Sequence, residues 1–288
     1  MPRPIDHLVL AVPDLAVAMA LYGRLGFTVG ARNRHPWGTE NAVIQLDGAF
    51  LELIALGPGF VAPPADAEAA PFALPVADAV ARGGGLCLLV LGSDDADADA
   101  AAFRAAGLGQ GRRLDFGRTG VAPDGARREV SFSLAFADTG LPEAGLFTCR
   151  HHRPENFWNP AAQRHDNGAE RLDAVVLAAA DPAGIARRLA SVVGRLADAS
   201  PHGPRLGTPT GHLDVMAPDA AALRLGAGAV AGRFAGFGVV VPDLAAQRRR
   251  LIAAGVPFGE PGGVLVVSPE AAFGAALAFV PAACHSQP

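Results

Sequence analysis

The sequence contains no lysine, and all 24 of its basic residues are arginines. Two kinds of chemistry are therefore excluded, the Schiff base of a catalytic lysine and the phosphate contact of a P-loop lysine. The arginines form no long basic run and no basic helix face, and the formal net charge is −4. Because nucleic-acid-binding proteins need such a positive surface, we expect no nucleic acid among the partners.

Cysteine is also scarce. The three cysteines, Cys87, Cys149 and Cys284, lie far apart and fit neither a CxxC metal knuckle nor a disulfide framework. Reduced thiols of this kind are typical of cytoplasmic proteins. The sequence has no signal-peptide pattern and no uncharged apolar stretch of about 18 residues, so we expect a cytoplasmic protein without a membrane partner. The motifs GxGxxG and GxSxG are missing as well.

An internal repeat organises the chain. AVPDLA at 11–16 returns as VVPDLA at 240–245, and the same offset of 229 places Gly26 on Gly255. Weaker copies begin near residues 86 and 172, where an apolar strand again ends at an aspartate that can cap a helix. Four copies therefore begin at about residues 1, 84, 168 and 232.

Each copy predicts a βαβββ module. In the first copy, three strand-like stretches follow the helix: TVGARN, NAVIQL and AFLELIAL. The fold class is therefore α+β, with strands of neighbouring modules pairing into two cupped mixed sheets. We expect one domain at 1–160, which holds the candidate active site, and a second at 168–281 made of two shorter modules. In the second domain, GHLDVMAP, AALRLGA, GVLVVSP and AALAFV are candidate strands.

Two residues in the first module are unusual for their positions. By strand alternation, His7 shares a face with Ile5, Val9 and Ala11. Glu52 lies in the middle of the apolar strand AFLELIAL, where its charge needs a partner, a metal or a raised pKa. On its own, His7 could equally be a structural residue that fills the strand.

A histidine on the first strand and a glutamate on the last strand of a βαβββ module resemble the vicinal oxygen chelate superfamily. This superfamily includes glyoxalases, extradiol dioxygenases and bleomycin-resistance proteins. The stretch HPWGTENAVIQLDGAFLELIAL is similar to its glyoxalase-like group, in which His-Pro, Gly-Thr and Asn precede a Leu-Glu strand. The resemblance implies two tandem vicinal oxygen chelate domains, whose paired modules form a cup around a divalent metal.

The resemblance also implies metal ligands on the first and last strands of each module. His7 and Glu52 match the two positions in module one. In module two, aligning Asp14 with Asp94 places Cys87 at the first-strand position. The last strand, GLFTCRHH, leaves four residues open, and we favour His151 because two histidines and a carboxylate make a facial triad. The open residues are Thr148, Cys149, Arg150 and His151.

The third and fourth modules depart from this pattern. Their first-strand positions fall on Ala174 and Gly236, which cannot bind a metal. We expect the second pair of modules to be metal-free and structural, although His212 and Asp214 alternate on one face of a strand and leave a second site conceivable.

The loop HPWGTEN contains more polar and aromatic residues than a turn requires. Pro36 and Gly38 explain the turn. His35, Trp37 and Asn41 are candidate substrate-binding residues, since an imidazole, an indole and an amide beside a cup suit a small-molecule pocket. The alternative is an exposed loop with a packed tryptophan.

These features predict a metal-dependent lyase, isomerase or dioxygenase that acts on a small oxygen-bearing substrate. The expected cofactor is a divalent Zn, Fe, Mn or Ni ion held by His7, Glu52 and His151, and Glu52 is the candidate catalytic acid or base. The alternative is a metal-free binding protein of the bleomycin-resistance type. A homodimer is compatible with either.

Overall fold

The computed structural model of the chain describes residues 2–121 and 127–282. It contains two curled eight-stranded mixed sheets, each built from two consecutive βαβββ modules. The α+β fold with four such modules is therefore confirmed.

The first sheet is formed by modules one and two. Module one consists of β1 (Ile5–Ala11), α1 (Leu15–Arg24), β2 (Asn33–Arg34), β3 (Thr39–Gln45) and β4 (Phe50–Leu56). Helix α2 (Ala70–Ala81) then leads to module two, which consists of β5 (Gly85–Gly92), α3 (Ala96–Ala105), β6 (Arg113–Val121), β7 (Arg127–Ala137) and β8 (Gly145–His151). A single helical turn, α4 (Pro154–Phe157), follows.

The second sheet is formed by modules three and four. Module three consists of β9 (Leu172–Ala178), α5 (Pro182–Val193), β10 (Asp198–Ser200), β11 (Gly203–Thr208) and β12 (Gly211–Met216). Helix α6 (Pro218–Leu225) then leads to module four, which consists of β13 (Phe234–Val241), α7 (Leu244–Ala253), β14 (Phe258–Gly259), a 3₁₀ turn (Pro261–Gly263), β15 (Leu265–Val267) and β16 (Ala276–Pro281).

Both sheets have the same topology. The first and last strands of each module pair in parallel, as in β1 with β4 and β5 with β8. The first strands of the two modules in a sheet pair antiparallel at its centre, as in β1 with β5 and β9 with β13. The four central strands therefore carry their inward side chains to the middle of a cup.

The first helix of every module begins at an aspartate that follows the first strand. Asp14, Asp95, Asp181 and Asp243 each accept hydrogen bonds from backbone N–H groups in the first turn of the helix. Side-chain acceptors at this position stabilise a helix by satisfying donors that otherwise have no partner. The repeated aspartate is thus the local signal that makes the four modules recognisable in the sequence.

Three apolar cores hold these layers. One continuous core joins the outer faces of both sheets and the helices α1, α3, α5 and α7. A second core lies inside the first cup, where α2 contributes Phe72 and Val76. A third core lies inside the second cup, where α6 contributes Ala221 and Leu225.

Two of the expected strands differ from the structure. TVGARN at 28–33 enters a strand only at its last residue, since β2 spans Asn33–Arg34. AALRLGA belongs largely to α6, whose Ala221 and Leu225 are buried four residues apart on one helix face. Pro218 occupies the first turn, and Gly226 ends the helix in a left-handed conformation. Short apolar segments fit either a helix or a strand, and here the terminal signals indicate a helix.

Cys87 and Cys149 are free, buried thiols, whereas Cys284 lies outside the described residues. Within the described ranges, no helix has the length and apolar character needed to cross a membrane.

The two sheets meet closely at Gly84, which follows α2. Gly84 has a φ of +114°, and a Cβ atom there would lie 2.8 Å from the carbonyl oxygen of Phe273 and 2.9 Å from that of Ala11. Neighbouring Gly83 has a φ of +97° but open space around its Cα atom. Both positions favour glycine conformationally, but only Gly84 is also constrained by contact.

We expect Gly84→Ala to lower the free energy of unfolding by about 2–4 kcal/mol, because it adds a backbone clash to the strain of a positive φ. Gly83→Ala is the matched control and should cost about 1 kcal/mol, from conformation alone. Urea denaturation of both variants measures the difference. Equal losses would contradict the close contact between the sheets.

Candidate functional site

Glu52 is the central residue of the first cup. It lies on β4 opposite Val9 of the parallel strand β1 and Val43 of the antiparallel strand β3, so neighbouring strands surround it on both sides. The residue is only 4% exposed. A buried carboxylate of this kind requires hydrogen-bond donors or a cation.

Three side chains approach the Glu52 carboxylate. Asn41 Nδ2 donates a hydrogen bond to Oε1. His7 Nε2 lies 3.9 Å from Oε2, and His35 Nε2 lies 3.6 Å from Oε1. The structure thus brings together four of the candidate residues from the sequence, and all four line one cavity.

Asp6 fixes the ring of His7. The register of β1 against β5 shifts between Ile5 and His7, which is a β-bulge at Asp6. Oδ2 of Asp6 lies 2.6 Å from His7 Nδ1. Burial raises the pKa of Asp6, but hydrogen bonds from His151 and His7 outweigh it and hold this pKa well below its ordinary value. The carboxylate therefore requires a proton on Nδ1 of His7, the nitrogen remote from Glu52.

The strand alternation expected from the sequence is wrong at this bulge. Ile5 packs in the outer core, whereas Val9 and Ala11 pack inside the cup. Asp6 was missed because a bulge interrupts the two-residue period of a strand. Two consecutive polar residues, Asp6 and His7, in an otherwise apolar strand were the available signal.

His35 reaches the site from the HPWGTEN loop. Its backbone N–H donates to the Thr39 carbonyl, and its Nδ1 lies 2.9 Å from the Thr39 hydroxyl. Burial, opposed by the charge of Glu52, lowers the pKa of His35 to about 4. The imidazole is therefore neutral near pH 7 and has a lone pair available.

Trp37 supports His35 from behind. The two rings stack with centroids 4.6 Å apart and an interplanar angle of 8°. Trp37 also packs against Phe72 and Phe116, and it is not one of the residues that line the cavity. The role of Trp37 in substrate binding stays a prediction, and its observed contacts position His35.

His151 lines the same cavity but contacts Asp6 instead of Glu52. Its Nε2 is 3.1 Å from Oδ1 of Asp6, so Asp6 bridges His7 and His151. Asp6, Cys149 and His151 are the one group of three described His, Cys, Asp or Glu residues whose ligand atoms all lie within 4.8 Å of one another. Burial raises the pKa of Cys149 well above its ordinary value, so the thiol is protonated in the metal-free protein.

Strand register shows which residues are equivalent to His7. The seventh residue before the capping aspartate is His7 in module one and Leu88 in module two, since Asp95 rather than Asp94 caps α3. The placement of Cys87 at this position is therefore wrong by one residue. Cys87 is the bulged residue of β5, and its thiol lies 3.5 Å from the Val9 carbonyl.

The same register identifies the equivalents of Glu52. Glu52 pairs with Val9, and the corresponding pairs in the other modules place Phe147, Asp214 and Ala278 at its position. Ala174 and Gly236 occupy the His7 position in modules three and four, as expected. Of the eight positions, three hold an ionisable side chain: His7 and Glu52 in module one and Asp214 in module three.

Asp214 does not act like Glu52, because arginines neutralise it. Arg205 donates to both carboxylate oxygens at 2.6 and 3.0 Å, and Arg224 donates to Oδ2. His212 Nε2 lies 3.2 Å from Oδ2, but its direction does not make a hydrogen bond. Burial raises the pKa of Asp214, and its basic neighbours outweigh this and hold the pKa well below the ordinary range.

Phenylalanine is the commonest residue type in the wall of the first cup. The cavity has a volume of about 40 Å³, which suffices for an ion and a few water molecules. Arg118 provides a guanidinium in this wall and donates to the Asn33 side chain at 2.6 Å. The lining phenylalanines are Phe50, Phe72, Phe116, Phe132, Phe147 and Phe157.

Comparisons with known proteins agree with this fold. A family model described as a glyoxalase-like domain matches residues 5–193. No protein of curated function matches the sequence. A hypothetical protein from Staphylococcus aureus has a similar structure, with a TM-score of 0.68 and 11% identity over 98% of this chain and 100% of its own.

Two further solved structures are similar. A triple mutant of 4-hydroxymandelate synthase from Streptomyces coelicolor has a TM-score of 0.62 and 15% identity over 97% of this chain and 92% of its own. A fusion of a xylose isomerase-like TIM barrel with 4-hydroxyphenylpyruvate dioxygenase has a TM-score of 0.51 and 19% identity, and the match covers 90% of this chain and 40% of the fusion. At such identities the likeness shows the fold alone.

We expect Asp6→Asn to release the ring of His7. In the chelator-treated wild-type protein, ¹⁵N NMR should show a single His7 tautomer with the proton on Nδ1, because the Asp6 carboxylate accepts that proton. The variant should show mixed tautomers. The exposed Asp47→Asn is the control and should leave the His7 signals unchanged. An unchanged tautomer in Asp6→Asn would contradict the positioning role.

We expect Asp214→Asn to lower the free energy of unfolding at pH 7 by roughly 1–3 kcal/mol, because two arginines lose a buried partner. The folded-state pKa lies below the unfolded value, so this stabilisation is present above about pH 4 and declines as the pH falls. The difference between variant and wild type should therefore be smaller at pH 3. Asp198→Asn, which breaks an exposed pair with Arg195, should change stability little.

Proposed function

Because the chain belongs to the glyoxalase-like domain family of the vicinal oxygen chelate superfamily, we propose that its first cup is the active site of a metal-dependent enzyme. The substrate is a small oxygen-bearing molecule, and the reaction is that of a lyase, isomerase or dioxygenase. In this proposal, residues 1–160 form the catalytic domain and residues 168–281 form a second, metal-free domain. The observation that carries it is the approach of two imidazoles to the buried carboxylate of Glu52.

The donor set at Glu52 has the chemistry of a divalent-cation site, with ligand atoms that do not all lie within 4.8 Å of one another. The N···O separations of 3.6 and 3.9 Å are too long for hydrogen bonds. They are shorter than the roughly 4.2 Å that separates two ligands on opposite sides of an ion with bonds of about 2.1 Å. The lone pair of His7 Nε2 and the carboxylate of Glu52 repel each other unless a cation or a proton lies between them.

We assign the cation to His7, Glu52 and His35. This replaces His151 of the sequence-based prediction by His35, because His35 is near the Glu52 carboxylate and His151 is bonded to Asp6. Two imidazoles and one carboxylate form the donor set typical of iron(II) and related divalent sites. Asp6 behind His7 and Thr39 behind His35 are the outer partners that usually orient such ligands.

The remaining residues of the cup have separate tasks. When bound, the cation supplies Lewis-acid polarisation of a substrate oxygen. Asn41 holds Glu52 by its hydrogen bond, and Glu52 is placed to accept or return a substrate proton. Arg118 is the cationic group that binds an anionic substrate oxygen. The phenylalanine wall excludes water and strengthens these interactions.

One observation favours the alternative of a metal-free binding protein. Leu88 and Phe147 occupy the two module-two positions, so only half of the first- and last-strand positions in this cup carry ligands. In that case the same cup would sequester an aromatic or amphiphilic molecule, with Arg118 as the anchor for an anionic group.

Metal content distinguishes the two functions. We expect protein purified without chelator to contain close to one equivalent of Zn, Fe, Mn or Ni by elemental mass spectrometry. His7→Ala, His35→Ala and Glu52→Ala should each lose the metal while retaining the fold by circular dichroism, because each removes one ligand. His202→Ala, at an exposed histidine of the second sheet, should keep it.

Two results would contradict this assignment. Loss of metal in His151→Ala together with retention in His35→Ala would restore His151 as the third ligand. Absence of all four metals from the wild-type protein, with no increase in Tm when they are added, would favour the metal-free binding protein.

A further inference from the structure

The second cup contains a much larger cavity than the first. Its volume is about 570 Å³, against about 40 Å³ in the first cup. Pockets for small organic molecules have volumes of this order, with mostly apolar walls and a few polar groups. The cup whose first-strand positions hold Ala174 and Gly236 is therefore the one with room for an organic ligand.

The strand pairings show which residues of the two cups are equivalent, and the differences between them explain the larger volume of the second cavity. Three central side chains of the first cup are replaced by smaller residues: His7 by Ala174, Val90 by Gly238 and Phe147 by Ala278. All three replacements line the second cavity. Helix α6 covers this cup with the small side chain of Ala220, whereas α2 places the large side chain of Phe72 in the first cup.

The second cavity has a carboxylate at the position that Asp6 occupies in the first cup. Asp173 is the bulged residue of β9, one position before Ala174, as Asp6 is one position before His7. Asp6 bonds to the His7 ring, but alanine gives Asp173 no such donor. Asp173 accepts no hydrogen bond from any described residue, and it lines the cavity. A Cβ atom at Gly238 would lie 3.4 Å from its Oδ2, so the glycine leaves this carboxylate uncovered.

A cationic group lines the same cavity. Arg224 on α6 is anchored by the hydrogen bond from its Nη1 to Asp214. Among the described residues, Asp214 is the only acceptor for Arg224, so the other N–H groups of the guanidinium remain for a ligand. Arg205 supplies two further hydrogen bonds to Asp214 from outside the cavity.

The charges of this cup balance. Asp173 and Asp214 carry two negative charges, and Arg205 and Arg224 carry two positive charges. The exposed His202 lies at the rim and His212 beside Asp214. A ligand with a single net charge would leave either Asp173 or Arg224 without a partner of opposite charge. A zwitterion provides a donor for the Asp173 carboxylate and an acceptor for the remaining N–H groups of Arg224.

We propose that the second cup binds a small zwitterion with an apolar body, of which an amino acid with an apolar side chain is the simplest example. Its ammonium group donates to Asp173 in the place that His7 occupies in the first cup. Its carboxylate accepts from Arg224. Its apolar part packs on Val176, Phe237, Val264 and Val280. This site does not depend on the function of the first cup.

Isothermal titration calorimetry of the full chain tests the proposal with L-phenylalanine and 4-(aminomethyl)benzoate, two zwitterions that differ in the separation of their charges. Phenethylamine and 3-phenylpropionate, which each lack one charged group, are the matched ligands. At least one zwitterion should bind with a stoichiometry of one, and the single-charge ligands should bind about tenfold more weakly or worse. Failure of both zwitterions to bind would overturn the proposal.

Variants locate the site. Asp173→Asn and Arg224→Gln should each weaken zwitterion binding by about tenfold. Arg195→Gln is the control and should retain binding, because Arg195 pairs with the exposed Asp198 and does not line the cavity. Ala174→His should abolish binding while leaving the Tm unchanged or higher, since it restores the first cup's imidazole between Asp173 and the cavity. A loss of binding in Arg118→Gln but not in Arg224→Gln would place the ligand in the first cup and overturn the proposal.

Discussion

The parallel pairing of the first and last strands within each module is the constraint on which both cups depend. It brings residues far apart in sequence, such as His7 and Glu52, to the centre of a sheet whatever their chemistry. The antiparallel pairing of two first strands then joins two modules at that centre. The fold thus provides the same inward positions four times, and the residue types at those positions decide what each cup can bind.

The two cups carry different residue types at these inward positions. The first cup concentrates imidazole, carboxylate and aromatic groups and leaves little empty space. The second cup retains two carboxylates, Asp173 and Asp214, but has exchanged large central residues for alanine and glycine. Arginine provides the compensating charge in the second cup, since the sequence offers no lysine.

Local sequence signals predicted the four modules, whereas contacts between residues far apart in the sequence could not be predicted from it. The capping aspartates and the repeat at 229 identified four βαβββ units because a helix N-terminus is encoded in a few adjacent residues. Side-chain alternation failed at the bulge of Asp6, because the sequence does not state where a strand gains a residue. Cys87 was misplaced because Asp94 was aligned with Asp14, whereas Asp95 caps the helix. The approach of His35 to Glu52 depends on the path of a loop, and the sequence could place His35 only near the mouth of the cup.

The continuous outer core couples the stability of the two halves of the chain. Residues of both sheets and four helices pack in one apolar cluster, so each half loses part of its core if the other unfolds. The first cup contains buried polar atoms that lack hydrogen-bond partners among the described residues, among them Asn41 Oδ1 and His151 Nδ1. Because one core supports both halves, the second half contributes to the free energy of unfolding of the first. A ligand that binds in the second cup therefore also stabilises the first cup against unfolding.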